Sequence, residues 1–370
     1  MENMVNDSTK SPDSSFWSGK RVFMTGHTGF KGGWLTLWLN MLGAKVYGYA
    51  LQPPTTPNLF ETANIGERLE TDTRADLADL DSLVVAMRKA VPDVVFHLAA
   101  QPLVRESYRY PVETFRTNVM GTAHVLEVVR QTQSVHAVVI VTTDKVYENT
   151  KSERPFREHD SLGGHDPYSA SKAAAEIVTA GYRRSYFESS DRERARIATG
   201  RSGNVIGGGD WGCDRLIPDC LRAFAKGEPV RLRYPDAIRP WQHVLEPLCG
   251  YLLLAERLHG DDGSNFAEAW NFGPGPGAVY TVEQVTRMVA GMWGKDARVE
   301  VENKSADLHE TGCLTLDAQK ARNRLGWRSC WSLEQALTAT VRWHRAWLNN
   351  VDMSDFMMAQ IRDYCSVITA

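Results

Sequence analysis

The stretch Arg21-Val22-Phe23-Met24-Thr25-Gly26-His27-Thr28-Gly29-Phe30-Lys31-Gly32 decides the fold. Arg21 to Thr25 reads as a buried strand, and Trp34 to Leu42 has the length and apolar spacing of a helix. A strand, a glycine-rich turn and a helix N-terminus together form a cradle for a pyrophosphate, because unpaired backbone N–H groups and the helix dipole both favour an anion. Gly26 permits the tight turn, Gly29 lets the backbone approach phosphate, and Gly32 permits close helix packing. The spacing is GxxGxxG rather than GxGxxG, and by itself it also suits an ordinary turn. The rest of the chain decides between the two.

Working outward, strand-like and helix-like segments alternate through the first two hundred residues. Lys45 to Ala50 reads as a second strand, Val94 to Leu98 as a buried one, and Ala137 to Val141 and Ala195 to Thr199 as two more. Between them lie the helical patterns Val112 to Gln131 and Tyr168 to Tyr186. This alternation predicts an α/β fold: a Rossmann-type doubly wound parallel sheet with helices on both faces and ligands at the carboxyl ends of its strands. After about Asn204 the character changes. Arg215 to Lys226 and Thr281 to Met292 read as helices, with the loop Gly207-Gly208-Gly209-Asp210-Trp211 and a Gly/Pro-rich turn among them. The expected organisation is a disordered tail over 1–16, a dinucleotide-binding domain over 17–206, and a smaller C-terminal substrate-binding lobe built mainly from 207–238 and 276–370. Segments around 239–275 are expected to cross back to the first domain.

Composition narrows the classes. The chain has 370 residues, 43% apolar and 24% charged, with a net charge of −3, which gives no hint of nucleic acid or an anionic membrane as partner. No run approaches the ~18 consecutive apolar residues of a membrane span, and the polar first fifteen residues lack the apolar core of a signal peptide. Six cysteines (Cys213, Cys220, Cys249, Cys313, Cys330, Cys365) show no CxxC spacing, so reduced thiols, no metal and a cytoplasmic location are expected.

Two stretches carry the chemistry. Tyr168-Ser169-Ala170-Ser171-Lys172 places a phenol and an ammonium one helical turn apart. The cation stabilises phenolate, so the pair can take a proton from a hydroxyl while a hydride leaves the same carbon. Thr143-Asp144-Lys145-Val146-Tyr147 follows an apolar strand and adds a carboxylate and a second lysine. Oxidation needs only the tyrosine and lysine; an extra acid suggests further chemistry, such as expelling water.

Together these stretches resemble the extended short-chain dehydrogenase/reductase family, in its nucleotide-sugar branch. The resemblance is closest to the CDP-glucose 4,6-dehydratase group. It is carried by Thr25 to Gly33 with Trp34, Gly48 to Leu51 followed by prolines, Thr142 to Tyr147, Gly203 to Trp211, Asp214 to Asp219, and Arg239 to Val244. It runs from about Phe16 to beyond Trp343. The more distant dTDP-glucose and GDP-mannose dehydratases carry glutamate where Lys145 stands.

The resemblance implies NAD as cofactor, CDP-glucose as substrate and a homodimer or homotetramer. It implies an internal redox cycle: oxidation at C4, loss of water across C5 and C6, and hydride return to C6. Tyr168 is then the C4 base, Lys172 lowers its pKa and holds the nicotinamide ribose, and Thr143 hydrogen-bonds the reacting hydroxyl. Asp144 gives a proton to the departing C6 oxygen. Lys145 is either the C5 base or a cation stabilising the enolate, since a base must be neutral against a reference pKa of ~10.4.

The other implied contacts are to the cofactor and the sugar nucleotide. Gly26, His27, Thr28, Gly29, Phe30, Lys31 and Gly32, with Leu98, Ala99, Ala100 and Thr142, line the cofactor; Asp76 and Leu77 recognise adenine. Gln101, Asn118, Asn204, Arg215, Leu216 and Arg239 contact the nucleotide sugar, with Arg239 and Arg215 on its diphosphate. Asn118 reads equally well as a structural hydrogen bonder, and His97 reads as a packing residue rather than a base. Ala50-Leu51-Gln52-Pro53 lacks the acid that usually grips the ribose after the second strand, and no arginine stands there for a 2′-phosphate. Residues alone leave NAD and NADP open, and the resemblance favours NAD. Another nucleotide-sugar 4,6-dehydratase, a 4-epimerase or reductase of the same family, or a non-catalytic dinucleotide sensor remains as an alternative reading.

Overall fold

A computed structural model describes residues 10–149, 154–188, 195–275, 279–301 and 314–369. Seven strands form the central sheet: β1 (Arg21–Thr25), β2 (Lys45–Ala50), β3 (Thr71–Arg74), β4 (Val94–His97), β5 (Ala137–Val141), β6 (Arg196–Ser202) and β7 (Ala269–Phe272). Their order is β7-β6-β5-β4-β1-β2-β3, and every neighbouring pair is parallel. The chain reverses direction across the sheet between β1 and β4, so Gly26 and Leu98 leave adjacent strand ends and bound one crevice.

The sheet forms because its middle strands are apolar on both sides. Every residue of β5, Ala137-Val138-Val139-Ile140-Val141, is buried. Alternate residues go to opposite faces. Val22, Met24, Phe96 and Val139 join the core under the helices Phe30–Met41 and Leu245–His259. Phe23, Val95, Val138 and Ile140 join the core under Leu80–Ala90 and Gly121–Arg130. A third core holds the smaller lobe, where Ile217, Leu221 and Phe224 pack with Val285, Val289, Leu337 and Val341.

Several boundaries differ from the sequence reading for local reasons. The first helix starts at Phe30, not Trp34, because Gly29 caps it and the glycine loop supplies its first turn. The segment expected as one helix over Val112–Gln131 is Pro111–Phe115 and Gly121–Arg130 joined by a π-helical turn at Arg116–Met120. Asn118 lies in that turn, a common placement for π-turns at functional sites. The tyrosine helix runs from Pro167 to Tyr182, capped by Asp166, and also ends in a π-turn. β6 extends three residues past Thr199, to Ser202.

Two expectations of organisation are corrected. The tail predicted over 1–16 is ordered from residue 10: Lys10 N–H bonds the Gly326 carbonyl, and Asp13 caps a helical turn at Ser14–Trp17. Trp17 is fully buried and its Nε1–H donates to Glu256 at 2.7 Å. Residues 1–9 lie outside the described residues. The C-terminal helix Met353–Thr369, expected in the substrate lobe, instead joins the central core, with Met357, Ile361 and Tyr364 buried and Tyr364 edge-on to Trp38. Residues 245–272 supply a helix and β7 to the main sheet, which is why the chain crosses between the lobes more than once.

Candidate active site

The glycine loop has the shape of a phosphate cradle. Gly26 has φ +79°, and a Cβ there would stand 2.6 Å from the Ala99 nitrogen. A Cβ on Gly32 would stand 2.3 Å from the Gly26 carbonyl oxygen. Both glycines are required by the chain itself. Gly29 is different: a Cβ there meets only the Gly26 oxygen, at 3.4 Å, so the fold does not demand it and the approach of a ligand does. Gly32→Ala is therefore expected to lose about 1–3 kcal/mol of stability through overpacking. Gly29→Ala should keep its melting temperature yet bind dinucleotide about tenfold more weakly, a loss of ~1.4 kcal/mol. Scanning calorimetry and dinucleotide titration of the two variants check this contrast.

At the adenosine end, His27 is buried and its Nε2 lies 2.8 Å from Asp72 Oδ1. Burial pushes its pKa down, against the pull of Asp72. Its ring fills the space a Cβ on Gly48 would take, so His27 clamps the loop to β2 and β3. Thr28 donates to the Leu51 carbonyl at 3.1 Å, and Arg74 reaches the same carbonyl at 3.3 Å while pairing with Asp72 at 2.7 Å. Where the acid is missing after β2, the Asp72–Arg74 pair of β3 lies at the same edge of the sheet. Asp76 pairs with Arg116 at 3.1 Å, and Leu77 turns into the core beside Gly121. Leu98, Ala99 and Ala100 follow β4 directly, with Ala99 N–H against Thr25 Oγ1 at 3.3 Å.

The two chemical stretches meet at the ends of β5 and β6. Thr143 Oγ1 donates to Asp144 Oδ1 at 2.9 Å and is also hydrogen-bonded to Tyr168. Asp144 is 1% exposed, and its Oδ2 is buried without a hydrogen-bond partner. An orphaned carboxylate oxygen is costly, so it marks where a ligand hydroxyl belongs. Lys145 Nζ lies 3.9 Å from Asp144 Oδ1 and stays partly exposed. Burial pushes Tyr168 up to about 12, while Thr143 and Arg215 pull it down and Asp144 pushes it further up. The Lys172 ammonium donates to the Val141 carbonyl at 2.9 Å, and burial brings its own pKa down to about 8, with Glu176 opposing.

Three further residues named from the sequence have their side-chain polar groups hydrogen-bonded within the chain. Thr142, expected on the cofactor, donates its hydroxyl to Glu176 at 2.5 Å. Asn118, expected on the substrate, is 1% exposed; its Oδ1 accepts from Gln101 N–H at 2.8 Å, and its Nδ2 donates to Ser171 at 2.8 Å. It ties the loop after β4 to the tyrosine helix. The Gln101 amide bonds Thr114 and Leu103 rather than pointing to a ligand. His97 sits between Thr25 and Thr122 with its pKa pushed down to about 3 by burial, a packing role as read from sequence.

On the sugar-nucleotide side, Arg215 is held by Asp210 at 2.8 Å and lies close enough to Tyr168 and Lys31 to influence both charges. Leu216 begins the helix after it and packs into the smaller lobe. Asn204 lies between β6 and the short strand Val205–Ile206, where its carbonyl accepts from Gln242. Arg239 is buried on a two-residue strand paired with Tyr280–Thr281 and donates to the Ile238 carbonyl at 2.8 Å.

The sequence reading missed Ser202, Tyr251, Glu176 and Arg201, which surround residues it did name. Lys31 Nζ donates to Ser202 Oγ at 2.8 Å and reaches Tyr251 OH at 3.5 Å. Burial, with Lys172 and Arg215 nearby, brings its pKa down to about 7. Lys31, expected to line the cofactor, thus puts its amine into the cluster around Lys172 and Arg215. Glu176 and Arg201 form a buried ion pair behind Lys172 at 2.9 Å. Only Glu176 left a local signal, as an acid one turn after Lys172 on the same helix face.

This arrangement has relatives. Residues 23–340 match the family described as GDP-mannose 4,6 dehydratase. The chain is 47% identical over 359 residues to the CDP-glucose 4,6-dehydratase of Salmonella typhimurium, covering 96% of this chain and 99% of that protein. Among solved structures, MoeE5 in complex with UDP-glucose and NAD is 27% identical with a TM-score of 0.73, covering 88% of this chain and 99% of that one. A double mutant of DesIV, a dTDP-glucose 4,6-dehydratase from Streptomyces venezuelae with NAD and DAU bound, is 25% identical with a TM-score of 0.72, covering 88% and 97%. With its sheet order, glycine cradle and tyrosine–lysine helix, the chain belongs to the GDP-mannose 4,6 dehydratase family, among the extended short-chain dehydrogenases/reductases.

Proposed function

We propose that this protein is an NAD-dependent CDP-glucose 4,6-dehydratase, converting CDP-glucose to CDP-4-dehydro-6-deoxyglucose. The observation that carries the reading is the buried, unpartnered Asp144 Oδ2 beside the Thr143–Tyr168 hydrogen bond: an acid poised next to an oxidising pair. The 47% identity to a protein of that name supports the choice of nucleotide sugar. An epimerase or reductase would have no use for that acid.

The glycine cradle and the crevice beside β4 hold the dinucleotide, whose chemistry when bound is to accept a hydride from C4 and return it to C6. Tyr168 takes the C4 hydroxyl proton, and Thr143 orients that hydroxyl. Lys172 and Arg215 supply the positive charge that favours phenolate. The 4-ketone acidifies C5–H, and Lys145, at the mouth of the site, takes that proton and gives it back to C5 when the hydride reaches C6. Asp144 protonates the C6 oxygen as water leaves. Arg215 and Arg239 bind the diphosphate, for which a guanidinium fork suits paired oxygens.

Supplied with CDP-glucose deuterated at C4, the protein should yield a 4-keto-6-deoxy product deuterated at C6. Label lost to solvent would remove the internal cycle. Product from dTDP-, UDP- or GDP-glucose in preference to CDP-glucose would change the substrate.

A homodimer or homotetramer is the assembly this reading favours. Val112, Phe115, Met120, Ile177 and Tyr186 are exposed apolar residues on the two long helical segments, a face suited to helix pairing. Cys213, Cys220 and Cys249 are free thiols, which fits a cytoplasmic enzyme supplying deoxysugar for O-antigen lipopolysaccharide. Among the described residues no helix is long and apolar enough to cross a membrane.

A further inference from the structure

Glu176 takes no part in the steps above, yet its carboxylate is fully engaged. Oε1 accepts from Thr142 Oγ1 at 2.5 Å and Arg201 Nε at 2.9 Å; Oε2 accepts from Thr199 Oγ1 at 2.7 Å and Arg201 Nη2 at 2.9 Å. Arg201 continues to Tyr147 OH at 2.8 Å and to the Glu158 carbonyl at 3.0 Å, and Tyr147 donates to Asn271 at 2.7 Å. Thr142 and Tyr147 bracket Thr143-Asp144-Lys145. Tyr168, Lys172 and Glu176 follow one another at four-residue steps on one helix face. One buried network therefore grips the tyrosine helix and both ends of the catalytic segment.

We propose that Glu176 is a positioning residue of this reaction, acting through Lys172 and through the Thr142 and Tyr147 ends of the catalytic segment. The inference rests on the reading of Tyr168 and Lys172 as the oxidising pair. Lys172 is faced by Glu176 and Tyr168 from its own helix, by Lys31 from the glycine-loop helix and by the neutral His97 from β4. Glu176 is the negative charge in that set; Arg201 from β6 and Arg183 from the end of the tyrosine helix face Glu176 in turn. A purely structural ion pair would brace the sheet without influencing the ammonium.

The test is the pH midpoint of Lys172, read by trace acylation and mass spectrometry without substrate. In Glu176→Gln one negative charge is lost about one helical turn away, roughly 6 Å. At an effective dielectric of ~20 this should lower the Lys172 midpoint by about one to two pH units. Turnover on CDP-glucose should fall by about 10–10²-fold, the scale of a small misplacement. Glu176→Gln/Arg201→Met removes both charges, which a fold tolerates better than an unpaired one. Its Lys172 midpoint should return most of the way to wild type while turnover stays low, because Thr142 and Tyr147 are no longer held. A folded Glu176→Gln with unchanged midpoint and turnover overturns the proposal. If that variant does not fold, wild-type turnover in the double variant overturns it. Because the midpoint needs no substrate, it is read even if the wild type forms no product from CDP-glucose, which would count against the substrate reading instead.

Discussion

Tyr168→Phe is expected to lower turnover by about 10²–10⁴-fold, the usual contribution of a positioned acid–base group, and to leave dinucleotide affinity close to wild type. The phenol is buried against Thr143 with Arg215 in range, and its pKa is pushed up to about 12. A phenol held that high releases its proton only as pH rises. The wild-type rate should therefore climb from neutral pH, then flatten as Lys172, near 8, gives up its charge. In the variant the residual rate should no longer climb. The pH profiles of kcat/KM for the two proteins, with a dinucleotide titration, check this. Near-wild-type turnover in the phenylalanine variant would remove Tyr168 from the mechanism.

The second large effect separates elimination from oxidation. Asp144→Asn keeps the side chain's size and its bond to Thr143 but cannot deliver a proton to the C6 oxygen. Oxidation at C4 depends on Tyr168 and its neighbours, so it should survive, while elimination slows by about 10²–10⁴-fold. Rapid quenching should then trap a 4-keto sugar that retains its 6-hydroxyl. Stability gives an independent reading. Asp144 is buried with one oxygen unpaired, and an amide is less costly to bury than a carboxylate. The variant should melt no lower than wild type. A structural carboxylate would behave in the opposite way: the variant would lose stability, every step would slow together, and no ketone would accumulate.

Both predictions concern residues that local sequence pattern singles out, whereas the groups that hold them in place are scattered along the chain. Tyr168 and Lys172 are legible because a helix fixes residues four apart on one face. Asp144 is legible because it follows the apolar run Ala137–Val141, whose end must lie at the carboxyl edge of a parallel sheet. The glycine loop is legible for the same reason: its geometry is set within a dozen residues. Asn118 stands out as a polar residue in an apolar helix, but its partners Gln101 and Ser171 lie 17 and 53 residues away, and only the fold assigns them.

Sequence by itself determined the doubly wound sheet, the cofactor cradle and the Tyr168–Lys172 pair, because each depends on local periodicity or on a contact within one turn. Tertiary structure alone decided what the long side chains do once packed. It bonded Thr142 to Glu176, brought Lys31 to Ser202 and Tyr251, tied the Gln101 amide to Leu103 and Thr114, and folded the last helix against Trp38 rather than into the smaller lobe. An amphipathic helix or a buried polar group states that it needs a partner. Which partner it meets is fixed by the close packing of segments far apart in the chain, where every donor and acceptor taken out of water has to be matched.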